Sequence, residues 1–207
     1  MPNEDVPATR WELGDNTGFA AHFTELIEAG ADITGEARLA DAMVPRGARV
    51  LDAGAGFGRI GAALRAAGHQ VVAAEKDPAL VAMAAELYPE LPVVHTDILE
   101  LTPDLLATAG HPTEYDLVVL VGNVVVLLAP DTERRALATL RQLLVDGGRI
   151  LVGFHPVRAF GNARDYPVDE FVADAAAAGL TVQHRFGNYE LAPPSDHYAV
   201  LVLTRTD

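Results

Sequence analysis

The sequence contains no cysteine, a single serine and a single lysine. The absence of cysteine excludes disulfides, thiolate zinc ligands and thiol nucleophiles together. Ser195 sits in the loop-like stretch APPSDHY, with no G-x-S-x-G turn to strain and expose it, and Lys76 lacks the setting of a Schiff-base lysine. Serine hydrolysis and imine chemistry are therefore set aside. Basic residues are few, 15 against 29 acids, for a formal charge of −14. A general nucleic-acid binder needs basic residues to displace counterions from phosphates, so no nucleic-acid partner is expected. The longest near-apolar run, residues 117–130, is interrupted by Gly122 and Asn123. It falls short of the roughly 20 apolar residues that span a bilayer, and no membrane association is expected. The start, MPNEDVPATRWELGD, has neither a basic nor an apolar region of the kind a signal peptide needs; the expected location is the cytoplasm. There is no HExxH and the histidines are scattered, so no metal site is expected. The absence of G-x-x-x-x-G-K-[ST] weighs against nucleotide hydrolysis.

What is present is enough for a core: 207 residues, 50% of them hydrophobic, consistent with one domain. Residues 1–14 lack apolar periodicity and read as a mobile arm. Phe19, His22, Phe23, Leu26 and Ile27 recur at helical spacing over residues 18–29, with Gly30 as the stop, and a short helix follows Thr34 as its N-cap. Residues 1–45 thus form an N-terminal arm with cap helices, and residues 46–207 form the main domain. There, short apolar runs at residues 49–52, 71–74, 93–94, 116–121 and 149–154 alternate with helical stretches at 60–67, 78–87, 132–144 and 168–178. The last helix is expected to be followed by strands at 180–186 and 198–204 with no helix between them. This order implies an α/β, doubly wound, mostly parallel sheet with helices on both faces, closed by an antiparallel pair.

The densest chemistry lies in VLDAGAGFGRIGAAL. A strand ends on Asp52, the chain turns through Gly54, Gly56 and Gly58, and a helix begins. Glycines let the backbone approach a ligand, and the helix N-terminus adds free N–H groups. Gly56-Phe57-Gly58-Arg59-Ile60-Gly61 formally matches the dinucleotide pattern G-x-G-x-x-G. An acid at the strand end, however, would face a pyrophosphate with like charge and suits a cationic ligand with an amine and a sulfonium. Glu75 ends the next strand, 21 residues after Gly54, where an acid accepts ribose hydroxyls in either kind of site. A bare strand-to-helix turn with solvated acids is the third possibility.

Taken together, these motifs resemble those of the class I (Rossmann-like) S-adenosylmethionine-dependent methyltransferases, of the small single-domain type. Asp52-Ala-Gly54-Ala-Gly56-Phe-Gly58 resembles their motif I, and Glu75 in VVAAEKDP their motif II acid. His95-Thr96-Asp97-Ile98 resembles motif III, YDLVVLVGNVVVLL motif IV, and Asp146-Gly-Gly-Arg-Ile-Leu-Val-Gly the following turn and strand. The resemblance covers about residues 35–205. It implies S-adenosylmethionine as cofactor and S-adenosylhomocysteine as product, a seven-stranded sheet and an antiparallel last strand. It further implies that the loop glycines run beside the methionine and ribose, with Asp52 near the amino group, and that Glu75 holds the ribose. By the same resemblance Lys76 packs on the adenine, Asp97 accepts from the adenine amino group and the Ile98 backbone reaches the ring. Gly122 and Asn123 would face the methionine and the acceptor.

An acceptor hydroxyl or ammonium must also lose a proton, usually to a histidine or carboxylate. His155, at the end of the strand closing on Phe154, and His22 are the candidates, with His197 behind them. Trp11, Phe19 and Phe23 are candidates for an aromatic lid. Gly-Asn-Val-Val at 122–125 is not the Asn/Asp-Pro-Pro-aromatic pattern of base-amino methylation. The expected acceptor is a small molecule, capped by residues 1–45 and the loops after Val121, Phe154 and Phe186; a protein side chain comes second. A nicotinamide-dependent reductase, or a cofactor-binding module without turnover, remains the alternative. The sequence gives no oligomeric state.

Overall fold

The computed structural model describes residues 6–158 and 161–206. Residues 1–5 of the expected arm, positions 159–160 of the loop after Phe154 and the final residue lie outside the described residues. Seven strands form one sheet: β1 (Arg49–Ala53), β2 (Gln70–Glu75), β3 (Val93–His95), β4 (Tyr115–Leu120), β5 (Leu144–Phe154), β6 (Leu180–Phe186) and β7 (Ala199–Arg205). Their order is β3-β2-β1-β4-β5-β7-β6. The first five run parallel, and β7 inserts antiparallel between β5 and β6. The doubly wound reading and the antiparallel closing pair are both observed.

Helices cover the two faces: α1 (Thr17–Glu28), α2 (Gly35–Ala42), α3 (Arg59–Ala66), α4 (Pro78–Leu87), α5 (Pro103–Thr108), α6 (Val124–Leu127), α7 (Glu133–Gln142) and α8 (Val168–Ala177). Strand side chains alternate between faces, and the buried residues sort accordingly. Leu51, Val118, Leu120, Ile150 and Val152 pack with α7 and α8 on one side. Val50, Leu117, Val119 and Leu151 pack with α2 and α3 on the other. With both faces covered, β4 reads as a continuous apolar run from Leu117 on. The direction of strand order reverses between β1 and β4, so a crevice opens beyond their carboxyl ends, where ligands bind in such sheets.

Two local expectations change, and one short helix was not anticipated. Asp146-Gly147-Gly148 is not a helix stop followed by a strand at Arg149: β5 already starts at Leu144, and pairing jumps from Tyr115↔Leu144 to Leu117↔Arg149. The intervening residues form a bulge. Gly147 adopts φ +74°, and a Cβ on Gly148 would stand 2.9 Å from the Val145 carbonyl oxygen and 3.0 Å from that of Tyr115. Thr34 occupies the N-cap position of α2 without capping it; its hydroxyl turns back to Asp32. The apolar run after β4 contains the short helix α6, launched by two consecutive left-handed residues, Gly122 (φ +72°) and Asn123 (φ +74°).

Residues 6–14 are tied down rather than loose. The Arg10 guanidinium donates to the Leu128 carbonyl and lies 3.0 Å from Glu133, which also takes Arg164 at 2.8 Å. Trp11 Nε1–H donates to Asp77 at 2.7 Å. The arm is therefore fastened at both sides of the crevice, and α1 lies above it.

Candidate active site

The crevice is one cavity of about 960 Å³, bounded by the glycine loop, the ends of β2 and β4, the arm with α1, and the β6–β7 loop. It reaches the size at which pockets bury small ligands. Every residue singled out above for cofactor contact except Gly58 lies on its wall, as do His22 and His155.

The glycine loop owes its shape to backbone requirements. Gly54 adopts φ +73°, and a Cβ there would stand 2.6 Å from Val124 Cγ1. Gly58 (φ +87°) turns the chain into α3, and a Cβ on it would meet Leu91 at 2.7 Å. Gly56 differs: a Cβ there would meet nothing within 4 Å, so its open side belongs to the cavity. Gly54→Ala is expected to cost about 2–4 kcal/mol, the sum of left-handed strain and overpacking. Urea unfolding checks this, and Gly56→Ala should cost clearly less.

Asp52 is 2% exposed and accepts a hydrogen bond from Gly61 N–H at 2.8 Å. Burial pushes its carboxyl up to about 7, partly opposed by that hydrogen bond and by the Arg59 charge. Glu75 is also buried; it accepts from Gly56, Lys76 and Asp77 N–H, each at 2.8 Å. Burial raises its pKa against the pull of those three donors. A carboxylate offers about four lone-pair positions, so roughly one remains for a cavity ligand, fewer than a pair of ribose hydroxyls would use. Glu75 thus holds the loop as well as facing the ligand.

Lys76 bridges the arm to the third motif: its ammonium lies 2.7 Å from Glu12 and 3.1 Å from Asp97. Burial opposes, but the two carboxylates outweigh it and raise the lysine pKa. The resemblance implied packing on an adenine; here the charged end is engaged by two acids. The other oxygen of Asp97 accepts from Leu99 N–H at 2.7 Å, capping a 3-10 turn at Ile98–Glu100.

At the far end of the cavity stands His155. Its backbone N–H donates to Asn123 Oδ1 at 2.9 Å, and its ring Nδ1 lies 3.0 Å from the same oxygen. The backbone donor identifies that atom as the oxygen, so Nδ1 must carry the ring proton and Nε2 the lone pair. Burial lowers the pKa of this histidine. His22 is exposed on α1, edge-on to Phe23. His197 is exposed and off the cavity wall.

Trp11, Phe19 and Phe23 do line the cavity, as a ladder of rings 5.0 and 4.9 Å apart that continues to Phe57 at 5.2 Å. Four wall residues were not anticipated. Arg59 reaches from the start of α3 to the Ile33 carbonyl and pairs with Glu36, with Nη1 2.8 Å from Oε2, joining the cap helices to the glycine loop. Tyr189 and Tyr198 project from the β6–β7 loop with their hydroxyls 3.0 Å apart. Only the length of that helix-free loop hinted at them. Among the described residues no three His, Asp or Glu gather at metal-binding distance, and no helix is long and apolar enough to cross a membrane.

Residues 51–150 match a methyltransferase domain family. Among solved structures, the chain is similar to a TehB-like S-adenosylmethionine-dependent methyltransferase from Corynebacterium glutamicum, 35% identical, with a TM-score of 0.80 over 92% of this chain and 98% of that one. It shares its fold with the CcbJ methyltransferase of Streptomyces caelestis, at 18% identity and TM-score 0.70 over 84% and 90% of the two chains. A third fold relative is the 1,6-didemethyltoxoflavin-N1-methyltransferase of Burkholderia thailandensis, solved with 1,6-didemethyltoxoflavin and S-adenosylhomocysteine bound. Its identity is 22% and its TM-score 0.63, over 100% and 98% of the chains. No curated protein sequence matches.

Proposed function

The chain belongs to the class I S-adenosylmethionine-dependent methyltransferases, and from that premise we propose that it methylates a small molecule, with His155 taking the acceptor's proton. Its cofactor is S-adenosylmethionine and its product S-adenosylhomocysteine, which removes the dinucleotide-reductase reading. The chain's own residues suit that cofactor: the buried Asp52 carboxyl offers a counter-charge, the open side of Gly56 admits a ligand against the backbone, and Glu75 keeps an acceptor position toward the cavity. When bound, S-adenosylmethionine supplies an electrophilic methyl on a sulfonium that leaves as a neutral thioether. The protein's part is to orient the acceptor, exclude water and receive a proton. Orientation alone supplies about 7–11 kcal/mol in well-held pairs.

The observation that carries the small-molecule reading is that the arm, α1 and the β6–β7 loop of this same chain line the cavity beside the glycine loop, at a volume of about 960 Å³ that suits a small ligand. A neighbour with the same fold was solved with the small heterocycle 1,6-didemethyltoxoflavin bound. The test is S-adenosylhomocysteine release from a panel of small acceptors beside a panel of folded proteins. Turnover with small molecules is expected. Turnover with proteins alone, or tight cofactor binding with no turnover on either panel, would overturn the proposal in favour of a protein substrate or an inactive module.

Glu75→Ala is expected to weaken S-adenosylmethionine binding about 10- to 100-fold, the scale of a hydrogen bond to a charged group of about 1.5–3 kcal/mol. Calorimetric titration measures it; unchanged affinity would remove Glu75 from the cofactor site.

A further inference from the structure

Two tyrosine hydroxyls share a hydrogen bond on the cavity wall. Tyr189 lies against β5 so closely that a Cβ on Gly153 would overlap its hydroxyl oxygen. The Tyr189 phenol is deeply buried, and burial, joined by the Tyr198 hydroxyl, holds its pKa well above the ordinary value. Both phenols line the cavity and their oxygens lie 3.0 Å apart, so one of the two hydroxyl protons is spent between them and the other is free to face a ligand. The Tyr189 oxygen is the one pressed against β5 and Tyr198 is the ring packed on His155, so an order from Tyr189 O–H to Tyr198 leaves the Tyr198 hydrogen for a ligand beside His155. Tyr198 lines the cavity, and burial pushes its pKa up to about 12, so it stays a donor.

His155 packs edge-on against the Tyr198 ring, with centroids 4.7 Å apart, and its own hydrogen-bond order leaves Nε2 a lone pair. One wall of the cavity therefore presents an acceptor and a donor side by side. The nearby charged pair, Arg59 and Glu36, is mutually satisfied. Phe19 and Phe23 line the same cavity as apolar rings, with the Arg59 guanidinium over the Phe23 ring.

The geometry points to Tyr198 as a specificity-determining hydrogen-bond donor, with Tyr189 as its positioning residue, selecting a neutral planar acceptor whose nucleophilic N–H or O–H lies next to a carbonyl or ring nitrogen. The inference rests on the reading that this cavity holds the methyl acceptor. The N–H or O–H faces His155 Nε2 and the neighbouring lone pair faces Tyr198. A molecule with the X–H alone leaves the Tyr198 hydrogen without a partner.

The probes are oxindole, with its N–H beside a carbonyl, and indole, of the same size without the carbonyl, titrated into protein saturated with S-adenosylhomocysteine. Oxindole is expected to bind about 5- to 10-fold tighter than indole, the worth of one neutral hydrogen bond. Tyr198→Phe should bring the ratio close to one, and Tyr189→Phe should lower it part of the way. Indole affinity should stay within about twofold in both variants, whereas a merely structural role would move both ligands together. A ratio preserved in Tyr198→Phe overturns the inference. If that variant does not fold, a ratio preserved in Tyr189→Phe does so. It also falls if neither probe binds while S-adenosylhomocysteine does, and methyl transfer as such then still stands. Failure of S-adenosylhomocysteine itself to bind strikes the underlying reading instead.

Discussion

His155→Gln is expected to lower kcat by about 10²–10⁴, the usual contribution of a positioned proton acceptor, with S-adenosylmethionine affinity changed less than about threefold. The reason is the tautomer. Asn123 Oδ1 receives both the backbone and the ring Nδ1 protons of His155, so the imidazole offers Nε2 to the cavity as a base. A glutamine keeps polarity and approximate volume but has no basic nitrogen. Because burial lowers the histidine's pKa, its neutral, active form persists below the ordinary value of 6.5. The acid limb of kcat should therefore fall below pH 6.5 in the wild type and vanish in the variant. Asn123→Gly keeps the left-handed backbone position that Asn123 occupies at φ +74° and removes the orienting oxygen. It should give an intermediate loss. Single-turnover rates across pH, beside calorimetric cofactor affinities, check these outcomes. A kcat within threefold of wild type for His155→Gln would show that the acceptor loses its proton to water or arrives without one.

How much of this was legible beforehand follows from the range of the interactions. Strand ends and the glycine loop are local: an apolar run, an acid and a glycine spacing mark Asp52 and Glu75 without any tertiary information. β7 could be placed beside β6 because no helix lay between them. The bulge in β5 was not legible, because Asp-Gly-Gly carries the same turn signal whether it ends a helix or kinks a strand. Only pairing with Tyr115 distinguishes the two. Arg59 is adjacent to the glycine motif, yet its role depends on Glu36, which folds against it from a separate cap helix. Tyr189 and Tyr198 depend on a contact with β5 that exists only because Gly153 has no side chain. Lys76 shows the converse. Its position was readable, but its two carboxylate partners come from the arm and from the end of β3, so its charge could not be assigned from its neighbours in sequence.

Asp52 leads to the second large effect, on affinity and on stability in opposite directions. Burial raises its carboxyl from an ordinary 3.8 to about 7, so the empty protein carries a proton there that the unfolded chain has lost. Above the unfolded value the buried group works against folding: stability is greatest below pH 3.8 and declines as pH rises toward 7, by at most roughly 4 kcal/mol. A cation placed against the carboxylate reverses this, because it favours the ionised form. Binding S-adenosylmethionine should release about half a proton at pH 7 and close to one by pH 5, and its affinity should approach a tenfold fall per unit of acidification, about 50-fold in all from pH 7 to pH 5. Asp52→Asn removes the ionisation but can still accept from Gly61 N–H. The variant should be more stable than wild type at pH 8, bind S-adenosylmethionine more weakly at that pH, and show nearly flat affinity between pH 5 and 8. Calorimetry in two buffers of different ionisation enthalpy reads the proton release directly, and urea unfolding reads the stability. A wild-type affinity that does not change with pH over this range would mean that the Asp52 charge takes no part in holding the cofactor. Greater stability together with weaker binding in the variant would show that the site keeps a costly buried acid for the sake of its ligand.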